Sequence, residues 1–303
     1  MKIGYIGLGK MGGGMAANIL AAGYTLTVSD VNRGMAASLE KDGAIWVDTP
    51  KQVAEASDIV FTSLPGPKEV EAVALGKDGI LEGIRPGAVY IDNSSSSPTL
   101  VRKIHAAFKA KGADVMDSPV SGGPEGAAAG KLALMVGGDE AVFEKVKPVL
   151  DKIGDRITLC GGVGSGSVCK LVHNCMFISM QALAAECFTL GVKAGVDPKV
   201  LWQNLKNGAV GQGALLKRSL PATFFRGNFD QPVMALALGF KDVDLATSLA
   251  RELKVPMAMA NCTWSDFATA MNRGWEGRET ASIMALQEER AGVEVRIPDA
   301  EIG

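Results

Sequence analysis

The sequence predicts an α/β protein with a doubly wound N-terminal domain, a long linking helix and an all-α C-terminal domain. Three observations support this fold class. A glycine-rich turn joins the first apolar run of the chain to a helical stretch. Short apolar runs then alternate with helical patterns up to about residue 160, which favours a mostly parallel sheet with helices on both faces. After Gly191 only helical segments follow, separated by Gly or Pro.

The glycine-rich turn is the strongest of these signals. It follows the apolar run Ile3–Ile6 and leads into the helix-like stretch 15–22, the order that a Rossmann-type dinucleotide-binding unit requires. Gly7 allows the tight turn, Gly9 lets the backbone approach a pyrophosphate, and Gly12 lets the helix pack closely on the strand. The phosphates would lie on unpaired N–H groups at the start of the helix. The predicted cofactor contacts in the turn are Gly7, Leu8, Gly9, Lys10, Met11 and Gly12.

The chain has 37 glycines in 303 residues, so a lone glycine pattern of this kind could be a purely structural turn. Here an acid follows at the expected distance, because the second strand candidate, 25–29, ends at Asp30. A carboxylate at that position accepts hydrogen bonds from ribose hydroxyls and repels a 2′-phosphate, which favours NAD over NADP. Arg33 could in principle reach a phosphate, but we interpret it as a solvated residue at the start of the next helix.

Composition excludes several classes of function. A net charge of −2 provides no basic surface for nucleic acid. The longest apolar stretch, from Val168 to about Gly191, contains Lys170, His173 and Glu186, so we expect no membrane span. The five cysteines show no CxxC spacing and no signal peptide precedes the first strand, which predicts a cytoplasmic protein with reduced thiols. With only two histidines, a zinc site or a Ser-His-Asp triad is disfavoured and no metal is expected.

The predicted elements divide the chain into three segments. These are an NAD-binding domain at 1–162, an interdomain helix at 163–192 and an all-helical substrate and oligomerisation domain at 193–303. The predicted strands of the first domain are 2–6, 25–29, 58–64, 88–92, 114–117, 132–136 and 157–159. The predicted helices of the last domain are 198–208, 209–222, 232–251, 256–273 and 279–291. Ligands bind beyond the carboxyl ends of parallel strands, so the loops at Leu64-Pro65 and at 92–95 should face the cofactor.

Three further segments could carry chemistry. The first, Ser121-Gly122-Gly123, follows a strand and offers a hydroxyl and successive backbone N–H groups suited to a carboxylate, although a plain turn is an equal alternative. In the second, Lys170 and Asn174 are four residues apart and share one face of an otherwise apolar helix. In the third, Lys241 interrupts an apolar run.

Taken together these segments resemble the β-hydroxyacid dehydrogenase family, which includes 3-hydroxyisobutyrate dehydrogenases and tartronate semialdehyde reductases. The resemblance covers nearly the whole chain and rests on four ordered motifs: GYIGLGKMGGGMAANILAAG from Gly4, DSPVSGGPEGAAAGKLALMVGG from Asp117, GVGSGSVCKLVHN from Gly162 and KDVDLA from Lys241. It implies a catalytic lysine at Lys170 with a helper at Asn174. It implies substrate-binding groups at Ser121, Gly122, Gly123 and Lys241, and cofactor contacts at Ser95 and Lys241. The cofactor contacts predicted at Leu64 and Pro65 rest on their place at the end of a strand.

The family usually has two adjacent asparagines after the lysine, whereas this chain has His173-Asn174, and we leave His173 outside the catalytic set. The resemblance implies NAD-dependent hydride transfer to or from a small 3-hydroxy acid, with Lys170 as general acid and base. Reduction of a small semialdehyde acid, such as tartronate or succinic semialdehyde, is an open alternative because one site runs both ways. A non-catalytic dinucleotide-binding protein is a distant alternative, and Lys170 also disfavours an imine reductase. The apolar helices of the last domain predict a homodimer or homotetramer.

Overall fold

A computed structural model describes residues 1–301, apart from the side chains of Gln181, Ala182, Leu245, Leu249 and Glu301. The chain divides into two compact units, Met1–Cys175 and Met176–Gly303. The first unit contains all the strands of the described residues. They are β1 (Lys2–Ile6), β2 (Thr25–Ser29), β3 (Ile45–Trp46), β4 (Ile59–Thr62), β5 (Val89–Asp92), β6 (Asp114–Asp117), β7 (Val120–Ser121), β8 (Leu132–Gly137) and β9 (Gly154–Gly161).

The strands form one sheet in the order β3-β2-β1-β4-β5-β6-β8-β7, with β9 also paired to β8. All neighbours are parallel except that β8 runs antiparallel to β6 and β7. The predicted doubly wound, mostly parallel sheet is therefore confirmed. The helices of this unit are α1 (Gly12–Ala21), α2 (Ala37–Lys41), α3 (Pro50–Ala56), α4 (Pro67–Leu75), α5 (Ile80–Gly83), α6 (Pro98–Lys109), α7 (Gly123–Ala129) and α8 (Glu140–Leu150).

Two apolar cores cover the two faces of the sheet. One includes Tyr5 and Phe61, whose rings stack with centroids 5.8 Å apart. The other includes Tyr90 and Phe108, whose rings stack at 5.3 Å. Strands of parallel sheets are buried on both faces, which explains the continuous apolar runs of β1, β4 and β5.

The register of the sheet aligns the carboxyl ends of four strands. Ile6 pairs with Thr62, Thr62 with Asp92, and Asp92 with Asp117. The strand order reverses at β1, since β2 lies on one side of it and β4 on the other. Such a reversal opens the crevice in which α/β sheets bind ligands. Three strand spacings of about 4.8 Å place the end of β6 about 14 Å from the end of β1.

The long helix α9 (Ser165–Lys193) belongs partly to each unit. Among the described helices, α9 has the length and apolar composition that could cross a membrane. Its Glu186, however, accepts hydrogen bonds from the backbone nitrogens of Met259 and Ala260 at 2.9 and 3.2 Å, at the start of another helix. That contact is typical of a packed helical unit, and the absence of a membrane span stays a prediction.

The described part of the second unit contains helices and no strands, as predicted. The helices after α9 are α10 (Pro198–Asn207), α11 (Leu220–Ala222), α12 (Leu236–Leu253), α13 (Ala258–Asn272) and α14 (Ile283–Ala291). A single β-bridge joins Ala235 to Glu279. Small apolar clusters hold the helices together, for example Leu236, Phe267, Ala270 and Leu286.

Some element bounds differ from the sequence prediction. The predicted helix 209–222 is wrong over its first part, because helical structure begins only at Leu215, in a π-helical turn, and continues in α11. Gly213 has a φ of +68°, in the left-handed region, which prevents a regular helix there. The strand predicted at 157–159 extends over all of β9. The interdomain helix predicted at 163–192 is confirmed as α9, which begins two residues later and ends one residue later than predicted.

Candidate active site

The glycine turn between β1 and α1 has the geometry of a dinucleotide-binding loop. Gly7 has a φ of +88°, a conformation that favours glycine. A Cβ on Gly12 would lie 1.9 Å from the carbonyl oxygen of Gly7, so a side chain there would push the helix off the turn. A Cβ on Gly9 would meet nothing within 4 Å, so this position is open on its ligand side. Gly7 and Gly12 therefore have the conformation and the close packing that the motif predicts, and the contact of Gly9 with a pyrophosphate stays a prediction.

The carboxylate of Asp30 is fixed at the end of β2. Its Oδ2 accepts a hydrogen bond from the backbone nitrogen of Leu8 at 2.6 Å, and its Oδ1 accepts one from that of Asn32 at 2.7 Å. The acid is thereby attached to the glycine turn itself. Arg33 is held elsewhere, because its guanidinium pairs with Glu40 and lies 4.4 Å from the ring centroid of Trp46. This supports the interpretation that Arg33 is not a phosphate ligand.

An open cavity of about 500 Å³ adjoins the turn. It is lined by the predicted cofactor residues Gly7, Gly9, Lys10, Met11, Gly12, Asp30, Leu64 and Pro65, among others. Leu8 is buried beneath the turn and contributes its backbone to Asp30. The uncrowded Gly9 and the acid at the end of β2 fit the phosphates and the ribose of a dinucleotide.

The loop after β5 reaches the same cavity through one hydrogen bond. The hydroxyl of Ser94 accepts from the backbone nitrogen of Leu64 at 2.9 Å, which ties this loop to a residue of the cavity wall. Ser95, the predicted cofactor contact, is exposed and does not line the cavity. Its role stays a prediction.

Asp92, at the end of β5, is a buried carboxylate without a counter-ion among the described residues. It accepts from the Thr62 hydroxyl at 2.8 Å and from the Ser94 backbone nitrogen at 3.0 Å, while its Oδ2 has no described partner. Burial, with a smaller contribution from the charge of Asp117, raises the pKa of Asp92 to about 6. The end of β5 thus carries a buried acid whose pKa lies about two units above the ordinary value for aspartate.

Ser121 and His173 come together beside the end of the sheet. Ser121 Oγ and His173 Nε2 lie 3.3 Å apart, and the imidazole tautomer decides which of them donates. Ser121 ends β7, which pairs antiparallel with β8, and Gly122 and Gly123 follow with φ values of +139° and +66°. These positive values turn the chain from β7 into α7.

Asp117 fixes the start of α9. Its Oδ1 accepts from the backbone nitrogen of Gly164 at 2.7 Å, and its Oδ2 accepts from that of Ser167 at 2.5 Å. The helix approaches the sheet closely, since a Cβ on Gly166 would lie 2.1 Å from the carbonyl oxygen of Met135. A buried carboxylate at a helix N-terminus satisfies unpaired N–H groups and interacts favourably with the helix dipole.

Lys170 lies three residues after Ser167 on α9, about 4.5 Å farther along the helix axis. Lys170 is only 8% exposed, and none of the ion pairs among the described residues involves it. Burial lowers the pKa of Lys170 below its ordinary value. Asn174, one turn farther on, is half-buried. A buried, unpaired lysine of lowered pKa is suited to giving and taking a proton.

Lys241 belongs to the second unit. It lies on α12, is exposed, and pairs with Asp242 at 3.0 Å. Within the first unit the structure brings Ser121 and His173 into contact, and Lys170 and Asn174 lie on the same helix as His173. None of these four residues lines the cavity beside the glycine turn, and their predicted roles, like that of Lys241, stay predictions.

Sequence reasoning missed two residues of this site. Asp117 was quoted only as the start of a motif, and its contact with α9 joins parts of the chain 47 and 50 residues apart. His173 was set aside, although its ring contacts Ser121. The replacement of an expected asparagine by histidine next to Asn174 was the signal that could have identified it.

Comparisons with known proteins cover nearly the whole chain. Residues 2–162 match the NAD binding domain of 6-phosphogluconate dehydrogenase, and residues 164–286 match the family described as NAD-binding of NADP-dependent 3-hydroxyisobutyrate dehydrogenase. The chain is 37% identical over 295 residues to 2-(hydroxymethyl)glutarate dehydrogenase of Eubacterium barkeri, covering 97% of each protein. It is 37% identical over 291 residues to 2-hydroxy-3-oxopropionate reductase of Escherichia coli, covering 95% of this chain and 97% of the relative.

A solved structure supports the same relationship. The structure titled as 3-hydroxyisobutyrate dehydrogenase of Mycobacterium tuberculosis with L-serine superposes with a TM-score of 0.65 at 26% identity, covering 94% of this chain and 98% of the other.

Proposed function

This chain belongs to the β-hydroxyacid dehydrogenase family and carries its NAD-binding domain, and from that premise we propose that it transfers a hydride between NAD and a small 3-hydroxy acid, with Lys170 moving the proton. The observation that carries the proposal is Lys170 itself. It is buried and lacks an ion-pair partner among the described residues. It lies one helical turn after Ser167, whose backbone nitrogen donates to Asp117. A lysine with only a structural role would normally extend its ammonium into water.

The proposed mechanism divides the work among residues of the first unit. NAD, when bound, supplies the hydride chemistry. Gly7, Gly9 and the start of α1 would hold its phosphates, and Asp30 would accept hydrogen bonds from its adenosine ribose. The cavity adjoins the end of β1, and the start of α9 is held at the end of β6 on the same edge of the sheet, which supports an extended dinucleotide whose nicotinamide end would point toward α9.

Lys170 acts on the reacting oxygen of the substrate. In the oxidation it removes the hydroxyl proton, for which its burial prepares it by disfavouring the ammonium form. In the reduction the ammonium form returns a proton to the alkoxide oxygen. Asn174 would orient that oxygen or the lysine. Ser121, with the backbone nitrogens of Gly122 and Gly123, would hold the substrate carboxylate and so fix the reacting carbon.

The direction of the reaction follows from metabolism and not from this geometry. The same residues could reduce a small semialdehyde acid by the reverse of the same reaction, so a semialdehyde reductase is the alternative function. Lys241 would add a positive charge for the substrate or the cofactor, as the family resemblance implies. We place the enzyme in the cytoplasm, where its five free cysteines would stay reduced.

We also propose that the enzyme is a homodimer or homotetramer. Several large apolar side chains of the second unit are more than half exposed, including Phe177, Ile178, Trp202 and Leu216. Large apolar side chains that are exposed in this number favour an interface with another chain. A second copy of the chain would bury it, and the mass in solution measured by light scattering tests this. A monomer at micromolar concentration would contradict it.

A panel of substrates tests the proposed function. The formation of NADH is followed with small 3-hydroxy acids, namely 3-hydroxyisobutyrate, 2-(hydroxymethyl)glutarate, L-serine and glycerate, and its consumption with tartronate and succinic semialdehyde. We expect at least one substrate to be turned over, with NAD preferred over NADP. Loss of that turnover in Lys170→Met, with NAD still bound, would assign the activity to this site. A protein that binds NAD but is inactive with every compound would be a non-catalytic dinucleotide-binding protein.

A further inference from the structure

Two of the five cysteines meet where β9 ends and α9 begins. Cys160 is half-buried near the end of β9, and Cys169 is exposed on the second turn of α9, directly before Lys170. Neither thiol has a part in the proposed transfer of the hydride or the proton.

Cys160 occupies an irregular position in its strand. Leu159 pairs with Val136 of β8 and Gly161 pairs with Gly137, so Cys160 is the extra residue between two paired positions. Such a β-bulge turns the side chain of its extra residue out of the regular alternation of the strand. The thiol of Cys160 is therefore free to point toward a neighbouring element.

The start of α9 lies on the same two strands. A Cβ on Gly166 would lie 2.1 Å from the carbonyl oxygen of Met135 and 2.9 Å from the backbone nitrogen of Gly137, so this helical turn rests on β8, the partner of β9. Cys169 follows Gly166 by three positions and shares its side of the helix. The bulge and the helix thus bring the two cysteines together, and Cys169 acts on the Cys160 thiol through a hydrogen bond and through its charge.

The two thiols differ in their readiness to react. Burial, with smaller contributions from the hydrogen bond and the charge of Cys169, raises the pKa of Cys160 to about 12. Cys160 is therefore protonated at neutral pH and a poor nucleophile. Cys169 is exposed, so an oxidant in the solvent reaches it first. An accessible cysteine next to a second one is the arrangement of a reactive and a resolving thiol.

We propose that Cys160 and Cys169 form a redox-sensitive pair, which a hydroperoxide converts into a disulfide that displaces Lys170. The Cys169 thiolate attacks the hydroperoxide, the O–O bond breaks, and a sulfenic acid forms as an alcohol leaves, or water in the case of hydrogen peroxide. The charge of Cys169 then no longer opposes a thiolate at Cys160. The Cys160 sulfur attacks the sulfenic sulfur, the S–S bond forms, and the hydroxyl leaves as water with the proton of Cys160. The two thiols lose two electrons, and the hydroperoxide gains them.

The disulfide changes the junction that carries Lys170. Its sulfur atoms are about 2.05 Å apart, closer than two thiols in non-bonded contact, so oxidation draws Cys169 toward β9 by a distance on the order of 1 Å. A Cβ on Gly162 would meet nothing within 4 Å, so the connecting loop has room to adjust. Lys170 is the next residue and moves with Cys169. This effect rests on the proposed function, because it assumes that Lys170 transfers the proton.

Peptide mapping tests the disulfide without any substrate. Trypsin cleaves after Arg156 and Lys170, so both thiols lie in one peptide, 157–170. The purified protein is treated with hydrogen peroxide, alkylated with iodoacetamide and digested. We expect this peptide to be unalkylated and lighter by two hydrogen atoms, and to take up two alkyl groups when dithiothreitol is added before alkylation. A peptide that is still alkylated twice after oxidation overturns the proposal.

A single substitution tests the order of the two steps. Cys160→Ser keeps the exposed thiol and removes the resolving one. After peroxide we expect dimedone, which labels sulfenic acids, to react with Cys169 in this variant and not in wild type. Dimedone labelling of Cys160 in Cys169→Ser, with none of Cys169 in Cys160→Ser, would overturn the assignment of the reactive thiol.

Initial rates with the best hydroxy acid test the effect on Lys170. After oxidation kcat of wild type should fall about 10- to 100-fold, the range for a misplacement of about 1 Å, and dithiothreitol should restore it. The dissociation constant of NAD should stay within about twofold. Cys169→Ser should keep its kcat after peroxide. Cys175→Ser, which removes another exposed thiol of α9, is the matched control and should be as sensitive as wild type. Equal sensitivity of Cys169→Ser and wild type, or an unchanged kcat in the disulfide form, would overturn the effect on Lys170.

The failure of this proposal is distinguishable from failure of the proposed function. An active wild type that forms no disulfide between Cys160 and Cys169 overturns only the redox-sensitive pair. A wild type that forms the disulfide and is inactive with every hydroxy acid and semialdehyde overturns the proposed function and the effect on Lys170.

Discussion

Replacing Asp117 by asparagine should weaken the start of α9 and slow the reaction by moving Lys170. Both carboxylate oxygens of Asp117 accept hydrogen bonds from the helix, at 2.7 and 2.5 Å. Asparagine keeps one acceptor and places an N–H donor against the other backbone N–H. One charge-assisted hydrogen bond is lost and two buried donors face each other, which should lower the free energy of unfolding by about 2–4 kcal/mol.

The effect on catalysis follows from the position of Lys170, one turn beyond Ser167. A misplacement of about 1 Å at a reacting group can cost about a hundredfold, so we expect kcat to fall about 10- to 100-fold. NAD affinity should stay close to wild type, because the glycine turn lies at the end of β1, with β4 and β5 between it and β6.

The assay combines urea unfolding, initial rates and NAD titration. Asp139→Asn is the matched control, because Asp139 caps α8 with bonds of 2.9 and 3.2 Å to Ala141 and Val142. Its exposed cap should cost about 1 kcal/mol or less and leave kcat unchanged. Asp117→Asn behaving like Asp139→Asn in kcat would refute the claim that Asp117 positions the lysine.

Three further outcomes are expected. Asp30→Asn keeps an acceptor for the Leu8 nitrogen but removes the charge, so the ratio of kcat/KM with NAD to kcat/KM with NADP should fall. Arg33→Ala is the control and should leave this ratio nearly unchanged, because Arg33 pairs with Glu40. An unaltered ratio in Asp30→Asn would contradict the assignment of cofactor preference to Asp30. The pKa of Asp92 is raised from 3.8 to about 6, mainly by burial, so the folded state binds this proton more tightly than the unfolded state does. The resulting contribution to the free energy of unfolding is fully present below about pH 4 and is lost as the pH rises through 6. Asp92→Asn should therefore raise the free energy of unfolding at pH 8 by up to about 3 kcal/mol, and this free energy should change less with pH between pH 4 and 6 than in wild type. Urea unfolding curves that match those of wild type at every pH would refute this. Because burial lowers the pKa of Lys170, kcat/KM for oxidation should rise with pH and level off at a pH below the ordinary pKa of lysine. A kcat/KM that still rises at the ordinary pKa of lysine would contradict the role of Lys170 as the base.

The sequence predicted those features that local patterns encode. The glycine turn, the acid at the end of β2 and the parallel strands were readable because each depends on residues close together in the chain. The alternation of helices and strands then placed the loops after β4 and β5 on the ligand side. The face shared by Lys170 and Asn174 followed from helical periodicity.

Features that depend on distant residues were not readable. The contact of Asp117 with Gly164 and Ser167 forms only after β6 and α9 have packed together. β3 and β7 have two residues each, too few to show an alternating pattern, and exist because longer strands pair with them. The apolar helix positions around Lys170 favoured a functional lysine, yet Val168, Leu171 and Val172 are themselves exposed.

The most direct test of the central claim is the single-turnover rate of NADH formation by Lys170→Met compared with wild type, at saturating NAD and the best hydroxy acid. The account predicts a rate about 10²- to 10⁴-fold lower, with the dissociation constant of NAD nearly unchanged, because a positioned acid–base group is removed far from the glycine turn. Lys170→Arg should fail as well, since a guanidinium does not release its proton near neutral pH. A near-normal single-turnover rate in Lys170→Met would contradict the assignment of the proton transfer to this lysine.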